Sequence, residues 1–210
     1  MNTIQNYLVD LKRTLDGLPQ ERIQQVIEIL HEARLNKQQV FVMGNGGSAS
    51  TASHFVCDLA KNTRARSVPN FKVIGLTDNM AIFSALANDD GYENVFADQL
   101  ASYVQAGDVV IGISTSGNSP NVLRAIQLAN TIPAKTIGFT GYNSGKLGSL
   151  VDVDLHVPSD CIEHVEDIHL VLEHLICKAL RERGMESDLL NQALSILPGV
   201  AIQEESSALD

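Results

Sequence analysis

The sequence lacks several features that mark common classes of protein. Its 210 residues include no tryptophan, and 15 Lys and Arg stand against 25 Asp and Glu, which gives a formal net charge of −10. This charge argues against a general nucleic-acid or acidic-membrane surface. No glycine loop continues into Gly-Lys-Ser/Thr, so a Walker-type nucleotide loop is missing. No apolar run is long enough to cross a bilayer and no leader opens the chain, so we expect a cytoplasmic protein.

Cysteine is also scarce. The three residues Cys57, Cys161 and Cys177 are odd in number and lie in apolar helical patterns. A secreted disulfide framework is usually denser and even in number. We therefore predict reduced thiols in the core.

Five short apolar runs are separated by helical segments along the chain. They predict strands at residues 39–43, 71–76, 109–113, 135–140 and 153–157. Apolar runs without polar alternation are typical of strands covered on both faces, and strands that alternate with helices predict a parallel sheet. The sequence therefore predicts an α/β fold, a three-layer αβα sandwich around a five-stranded parallel sheet.

Helical periodicity fills most of the remaining chain. Residues 4–15 and 19–36 predict two extra N-terminal helices, which could pack on their own domain or on another subunit. Residues 92–104 predict a helix before the third strand, and a long final helix is predicted to end at the C-cap Gly184. The polar, acidic stretch 198–210 is expected to fray.

The first strand runs into the glycine-rich turn GNGGSA at residues 44–49, which a helix follows. This order places free backbone N–H groups at a helix N-terminus, where anions bind, with Ser48 as the predicted N-cap. The turn also matches a G-x-G-x-x-A dinucleotide pattern, although Asp78 comes later than the usual acidic residue of that pattern. A phosphosugar fits at least as well, so both ligands stay open.

A second turn suited to a ligand follows the third strand. Ser114, Thr115, Ser116 and Ser119 place four hydroxyl groups within six positions, and Pro120 suits the first position of a helix. In parallel sheets, ligands bind at the carboxyl ends of the strands. An N-cap would explain only one of the hydroxyl groups, so we interpret the turn as an oxyanion cradle for a phosphate.

Imidazole and carboxylate groups recur on two helices. His54 and Asp58 are four residues apart and share one helical face, where they could also be an ordinary surface pair. The final helix carries Glu163, His164, Glu166, Asp167, His169, Glu173 and His174, many of which we interpret as a solvated acidic face. Glu166 and His174 lie within about 80° of one another on that helix. Such a set could run acid–base chemistry or hold a divalent metal.

With these residues in place, the chain resembles the phosphosugar isomerase-type (SIS) domain, specifically the phosphoheptose isomerase family. The resemblance runs from the N-terminal helices to about residue 183. It rests on both turns, on His54, and on the motifs Ala87-Asn88-Asp89-Asp90-Gly91-Tyr92, Thr140-Gly141-Tyr142 and Glu166-Asp167-Ile168-His169 with His174. Taken together, these motifs are specific for the family.

The resemblance implies a flavodoxin-like SIS domain at residues 1–197, with residues 1–36 making contacts in a homotetramer. It implies an aldose–ketose isomerase that converts sedoheptulose 7-phosphate to D-glycero-D-manno-heptose 7-phosphate, a first step towards the heptose of surface polysaccharides such as lipopolysaccharide. Some members of the family bind zinc. No nucleotide cofactor, nucleic acid or membrane partner is implied.

The resemblance also implies roles for single residues. The phosphate would be held by Ser114, Thr115, Ser116 and Ser119, and the sugar would be lined by Asn45, Gly46, Gly47, Ser48, Asn88, Asp89 and Glu166. Asp58 would be the base and His174 the acid. Zinc would be bound by His54, Asp58, Glu166 and His174. Two of these residues depart from the family, because Asp58 stands where glutamate is usual and Glu166 where glutamine is usual.

Three other functions stay open on the sequence alone. They are a catalytically silent phosphosugar-binding or scaffold protein, an isomerase of a different sugar phosphate, and a dinucleotide enzyme. Related SIS proteins that bind the replication initiator share the phosphate turn but lack the histidine of the final helix. The presence of His174 therefore favours an enzyme.

Overall fold

A parallel five-stranded sheet forms the centre of the molecule. In the computed structural model, which describes residues 2–195, the strands are β1 Gln39–Gly44, β2 Lys72–Gly75, β3 Val109–Ser114, β4 Lys135–Thr140 and β5 Val153–His156. Their order is β2-β1-β3-β4-β5, and each neighbouring pair is parallel. The predicted sheet is confirmed, and its order is that of flavodoxin-like folds.

Helices cover both faces of this sheet. They are α1 Thr3–Asp16, α2 Gln20–Leu35, α3 Gly47–Lys61, α4 Met80–Asp89, α5 Val95–Ala101, α6 Pro120–Thr131, α7 Leu147–Leu150 and α8 Ile162–Ser195. One apolar core joins the sheet to α2, α3 and α8, through residues such as Leu30 and Leu172. The other joins it to α5, α6 and α7, through Phe96, Val122 and Leu147. Because both faces are covered, all six residues of β3 are buried, which explains why the strands read as apolar runs.

Two predicted helix boundaries near the turns are wrong. Ser48 lies inside the first turn of α3, and Gly46 takes the N-cap position with φ of 55° and ψ of −122°. Glycine adopts this backbone conformation without strain, so the helix starts two residues earlier than it would with Ser48 as the N-cap. The helix predicted at residues 92–104 is split, because a 3₁₀ turn at Tyr92–Asn94 precedes α5.

The final helix is longer than predicted. It continues to Ser195, so the prediction of Gly184 as its C-cap is wrong. A Cβ added at Gly184 would lie 2.8 Å from the Cβ of Ala65. Glycine therefore lets α8 pass close to the segment that follows α3. In the sequence alone, a glycine required for close packing cannot be distinguished from a glycine that ends a helix.

The N-terminal helix is present as predicted, with part of its apolar side facing outward. Ile4 is 70% exposed, and Leu8 and Val9 are each 58% exposed. The predicted acidic tail, residues 198–210, lies outside the described residues. Within residues 2–195, no helix is both long and apolar enough to cross a membrane.

The three cysteines follow the prediction only in part. All are free, but Cys57 is exposed, Cys161 is half-buried and only Cys177 is buried. Burial raises the pKa of the Cys177 thiol above its usual range. The prediction of core thiols is therefore right for Cys177 and wrong for Cys57.

Candidate active site

The turn between β3 and α6 presents two hydroxyl groups at a helix N-terminus. Ser114 ends β3 and Ser119 takes the N-cap position of α6, and their Oγ atoms lie 3.0 Å apart. Ser119 makes no side-chain capping bond, and Pro120 is the first helical residue, as predicted. Pro120 has no N–H, and the N–H groups of Val122 and Leu123 donate to Asn121 Oδ1 and to the Ser119 carbonyl oxygen. The two hydroxyl groups and the N–H of Asn121 therefore suit an oxyanion.

These hydroxyl groups line a small cleft at the carboxyl ends of β1 and β3. Its volume is about 260 Å³, and it is lined by Asn45, Gly46, Gly47, Ser48, Ile113, Ser114, Thr115, Ser119, Ile162 and Glu166. β1 and β3 are neighbours in the sheet, so the turns that follow them meet at one edge. We call this space the phosphate cleft.

A pair of side-chain amides joins the two turns beside the phosphate cleft. Asn45 Nδ2 donates a hydrogen bond to Asn121 Oδ1, and Asn121 Nδ2 donates back to Asn45 Oδ1, each at 2.9 Å. Tyr92 donates its hydroxyl to the same Asn45 oxygen at 2.8 Å. Because Asn121 is buried, this pair holds the glycine turn in a fixed position against α6.

Glu166 of α8 reaches over the glycine turn. A Cβ added at Gly47 would lie 2.6 Å from Glu166 Oε1, so glycine leaves the room that the carboxylate occupies. The carboxylate therefore shares the phosphate cleft with Ser114 and Ser119. Because like charges repel, Glu166 opposes the binding of a phosphate dianion there.

A second polar group lies further along the same two helices. His54 and Asp58 of α3 meet Glu173 and His174 of α8, and one ligand atom from each lies within 4.8 Å of the others. The two imidazole Nε2 atoms are 3.2 Å apart. Asp58 Oδ2 lies 3.8 Å from His54 Nε2 and 4.0 Å from His174 Nε2, and Glu173 Oε1 lies 3.8 Å from His54 Nε2. We call these four residues the His–carboxylate group.

The His–carboxylate group is open on its histidine side and closed on its acidic side. The side chains of His54 and His174 are 46% and 52% exposed, whereas that of Asp58 is 12% exposed and that of Glu173 is fully buried. Burial, and secondarily the charge of Asp58, raises the pKa of Glu173 to about 8. Asn62 donates to Asp58 Oδ1 at 2.6 Å, which leaves Oδ2 turned towards the histidines.

The donor set of this group fits a divalent metal ion. Both carboxylate oxygens of Glu173 are buried, and neither has a hydrogen-bond partner. Imidazole nitrogen and carboxylate oxygen are ligands that Zn²⁺ and other first-row ions accept. A cation between the two helices would give the orphaned carboxylate a partner.

The two helices connect the phosphate cleft to the His–carboxylate group. Both start beside the cleft, with Gly47 at the start of α3 and Glu166 in the first turns of α8, and they pack against each other. Glu166 and His174 are eight residues apart, which is about 12 Å along the helix axis. The phosphate cleft and the His–carboxylate group therefore lie along one helix pair, separated by about two helical turns.

Comparison with known proteins settles the family. A family model described as the SIS domain matches residues 5–141. The phosphoheptose isomerase of Geotalea daltonii is 37% identical over 177 residues, which cover 82% of this chain and 91% of the relative. The chain belongs to the phosphoheptose isomerase family of SIS domains. That of Helicobacter pylori is 38% identical and covers 81% of this chain and 88% of the relative.

A solved structure agrees with this membership. A phosphoheptose isomerase from Francisella tularensis superposes with a TM-score of 0.78 and 30% identity, and the match covers 87% of this chain and all of the other. The resemblance drawn from the sequence motifs is therefore confirmed, as is the SIS fold.

Some residues that the phosphoheptose isomerase resemblance assigns to the substrate lie outside the phosphate cleft. Ser116 Oγ accepts a hydrogen bond from the backbone N–H of Asn118 at 3.2 Å, and the residue lines a neighbouring cleft. Asn88 and Asp89 are exposed at the end of α4, where Asn88 Nδ2 donates to Asp89 Oδ1 at 2.7 Å. Their contact with a substrate stays a prediction.

Three of the four zinc ligands implied by the resemblance lie in the His–carboxylate group. Among the described residues, the fourth member of this group is Glu173, whereas Glu166 lies beside Gly47 in the phosphate cleft. The helical rise explains the difference, because Glu173 is adjacent to His174 and Glu166 is two turns earlier.

Glu173 is the residue whose part in the site the sequence reasoning missed. The interpretation of this region as a solvated face does not hold for Glu173, His164 or His169, because all three are buried. Glu173 stands between Leu172 and Ile176 on the apolar stripe of α8. A charged residue on such a stripe is a signal that could have identified it, because buried carboxylates are rare without a partner.

In the structure, Asp78, the acidic residue that the dinucleotide interpretation requires, makes a different contact. Asp78 accepts a hydrogen bond from Ser53 Oγ at 2.6 Å, so its carboxylate ties the turn after β2 to α3. Among the residues described, Asp78 does not line the phosphate cleft. Family membership and this contact both favour a phosphosugar over a dinucleotide.

Proposed function

We propose that this chain interconverts sedoheptulose 7-phosphate and D-glycero-D-manno-heptose 7-phosphate. Membership of the phosphoheptose isomerases supports aldose–ketose isomerisation of a sugar phosphate. The structural observation that carries the assignment is the pairing of the phosphate cleft with the His–carboxylate group on α3 and α8. The cleft would hold the phosphate, and the group would move protons at the other end of the sugar.

The separation between these two parts supports a substrate with a long carbon chain. Glu166 and His174 are about 12 Å apart along α8. Six C–C bonds of about 1.5 Å each give an extended heptose a length of roughly 8 Å, to which the phosphate ester adds. A 7-phosphate can therefore place C1 and C2 at the His–carboxylate group while its phosphate stays in the cleft. Turnover should consequently fall for a five-carbon ketose phosphate.

The proposed phosphate contacts come from the turn after β3. Ser114 and Ser119 would donate their hydroxyl groups, and Asn121 in the first turn of α6 would donate its backbone N–H. Asn45, fixed by Asn121, would meet the sugar near the glycine turn. These contacts hold the substrate in one orientation, which is itself a large part of catalysis.

The proposed proton transfers use Asp58 and His174. Asp58 takes a proton from C1 while His174 donates one to the C2 carbonyl oxygen, which forms an enediol. Asp58 then returns its proton to C2, and the O1 proton passes to His174 as the C1 aldehyde forms. Asp58 Oδ2 and His174 Nε2 are 4.0 Å apart, so both reach adjacent carbons of one substrate. Such positioned groups contribute about 10²–10⁴-fold each.

Zinc is the proposed cofactor of the His–carboxylate group. His54, Asp58 and His174 would hold it, as an alternative to the metal-free proton transfers of Asp58 and His174, and the family resemblance adds Glu166. When bound, a divalent ion would polarise the oxygens on C1 and C2 and stabilise negative charge on the enediolate. Asn62 would orient Asp58 for this role through its bond to Oδ1.

We also propose a homotetramer in the cytoplasm. The exposed apolar residues Ile4, Leu8 and Val9 of α1 support a buried contact with another subunit. A cleft of about 740 Å³ opens between α1 and the segment before α8, next to this surface. Native mass spectrometry measures the assembly, and Leu8→Lys should shift it towards monomers. A monomeric wild type would contradict the proposal.

NMR of the anomeric region with sedoheptulose 7-phosphate tests the reaction directly. Asp58→Asn and His174→Ala should each lower kcat by about 10²–10⁴-fold and leave phosphate binding intact. Ser119→Ala should weaken phosphate binding, and Ser116→Ala tests the contact that the resemblance implies for Ser116, which lies outside the cleft. Full turnover in either catalytic variant would refute its role. Ligand binding by the wild type without any aldose, with and without a chelator, would indicate a silent phosphosugar-binding protein.

A further inference from the structure

Glu173 is a buried acid without a hydrogen-bond partner among residues 2–195. It has no exposed surface, and neither of its carboxylate oxygens makes a hydrogen bond. Leaving a buried carboxylate without a donor is costly, so such a group usually pairs with a cation or remains protonated. A carboxylate in this position therefore needs an explanation beyond the packing of α8.

The side chains around Glu173 indicate which kind of ligand would pair with its carboxylate. His54 Nε2 lies 3.8 Å from Glu173 Oε1, and His174 Nε2 lies 3.2 Å from His54 Nε2. Asp58 adds a second carboxylate, and its Oδ2 is held towards the histidines because Asn62 occupies Oδ1. Two acids and two imidazoles turned to one point form an arrangement that a divalent cation would neutralise.

We propose that Glu173 is the fourth protein ligand of a divalent metal ion bound by His54, Asp58 and His174. This inference rests on the proposed metal site and changes its ligand set. Four of the six separations between ligand atoms run from 3.2 to 4.0 Å, and all lie within 4.8 Å. A tetrahedral zinc site with bonds of about 2.0–2.2 Å requires separations of about 3.3–3.6 Å, so small side-chain movements would complete it.

Glu166 is the competing candidate, and its position argues against it. Its carboxylate lies beside Gly47 in the phosphate cleft, about 12 Å along α8 from His174. Glu173 is adjacent to His174 and already belongs to the group. The two glutamates share one helix and one chemistry, so each serves as the control for the other.

Metal affinity of the purified full chain tests the ligand set without any activity measurement. After removal of metal with a chelator, Zn²⁺ is titrated in competition with a chromophoric chelator, and Co²⁺ absorption reports the coordination. Glu173→Gln should weaken Zn²⁺ binding at least about tenfold and change the Co²⁺ spectrum. Glu166→Gln should leave both within about twofold, and His54→Ala should weaken binding as Glu173→Gln does.

Each result decides between the proposals. Unchanged Zn²⁺ affinity in Glu173→Gln, or a large loss in Glu166→Gln, would overturn the role of Glu173 and leave the metal site standing. No Zn²⁺ binding by the wild type would overturn the metal site itself, while turnover without metal would still support the isomerase. If Glu173→Gln does not fold, Glu173→Asp keeps the charge on a shorter arm and should show weaker Zn²⁺ binding; unchanged affinity there would also overturn the proposal.

Discussion

The buried His169 makes the stability of the fold depend on pH in a defined window. It lies on α8 between Glu166 and Glu173 and is 1% exposed. Its Nε2 donates a hydrogen bond to the carbonyl oxygen of Thr140 at 3.2 Å, which attaches α8 to the end of β4, and its Nδ1 has no partner. Burial lowers the pKa of His169 to about 4, despite the bond to Thr140 and with a small contribution from His156.

The sign of the effect follows from proton uptake. Above pH 6.5, His169 is neutral in both the folded and the unfolded chain and adds no pH dependence. Between pH 6.5 and about 4, the unfolded chain binds a proton that the folded chain does not, so the free energy of unfolding falls as the pH falls. A depression of this size corresponds to a loss of about 3 kcal/mol across the window.

Urea unfolding at intervals between pH 7.5 and 4 measures this loss, with His169→Gln as the control. Glutamine keeps an N–H donor for Thr140 and cannot be protonated in this range. Glu173 titrates with the opposite sign, because its raised pKa lowers stability as the pH rises from about 4.5 to 8. The contribution of Glu173 is the same in the wild type and in His169→Gln, so it cancels in the difference between their free energies of unfolding. Parallel curves for the two proteins would refute the assignment to His169.

Three further predictions concern the two parts of the site. Glu166→Gln removes a negative charge from the phosphate cleft and should tighten inorganic phosphate binding several-fold, on the scale of about 1 kcal/mol; unchanged calorimetric affinity would argue against a phosphate there. Gly117 has φ of 62°, and a Cβ on it would overlap a carbonyl oxygen of the neighbouring loop, so Gly117→Ala should lower the free energy of unfolding by more than about 1–2 kcal/mol. Thermal unfolding measures this loss, and an unchanged midpoint in Gly117→Ala would contradict the steric account. Asn62→Ala frees Asp58 Oδ1 and should weaken Zn²⁺ binding by about tenfold, whereas full retention would show that Asn62 does not orient the ligand.

The strands and their order of appearance were predictable because both faces of the sheet are covered. β3 is buried at all six positions, so its sequence is continuously apolar and stands apart from the helical segments around it. The end of α8 was not predictable in the same way. Gly184 carries the local signature of a helix end, yet its role is set by Ala65, which comes from a segment more than a hundred residues away.

Some features of the candidate site follow from residues that are close in sequence, and others depend on contacts between distant segments. The turns at Gly46 and Ser119 follow from residues that are close in sequence, and their positions at the ends of β1 and β3 bring them into one cleft. The direction of Ser116 depends on the backbone of the turn itself, where Gly117 has positive φ. The burial of Glu173 depends on α3 packing over α8, and its place on the apolar stripe of α8 is the local sign of that burial.

Asp58 and Glu173 differ together from the ligand set that the family resemblance implies, and the two differences are coupled if one carboxylate compensates for the other. Aspartate in place of glutamate draws the carboxylate of α3 back by about 1.5 Å, the length of one C–C bond. Glu173 supplies a carboxylate from the facing helix, 3.8 Å from His54 Nε2. If the second acid compensates for the first, Asp58→Glu should restore Zn²⁺ affinity in a Glu173→Gln background and add little to the wild type. Additive effects in this double-mutant cycle would mean that the two carboxylates act independently.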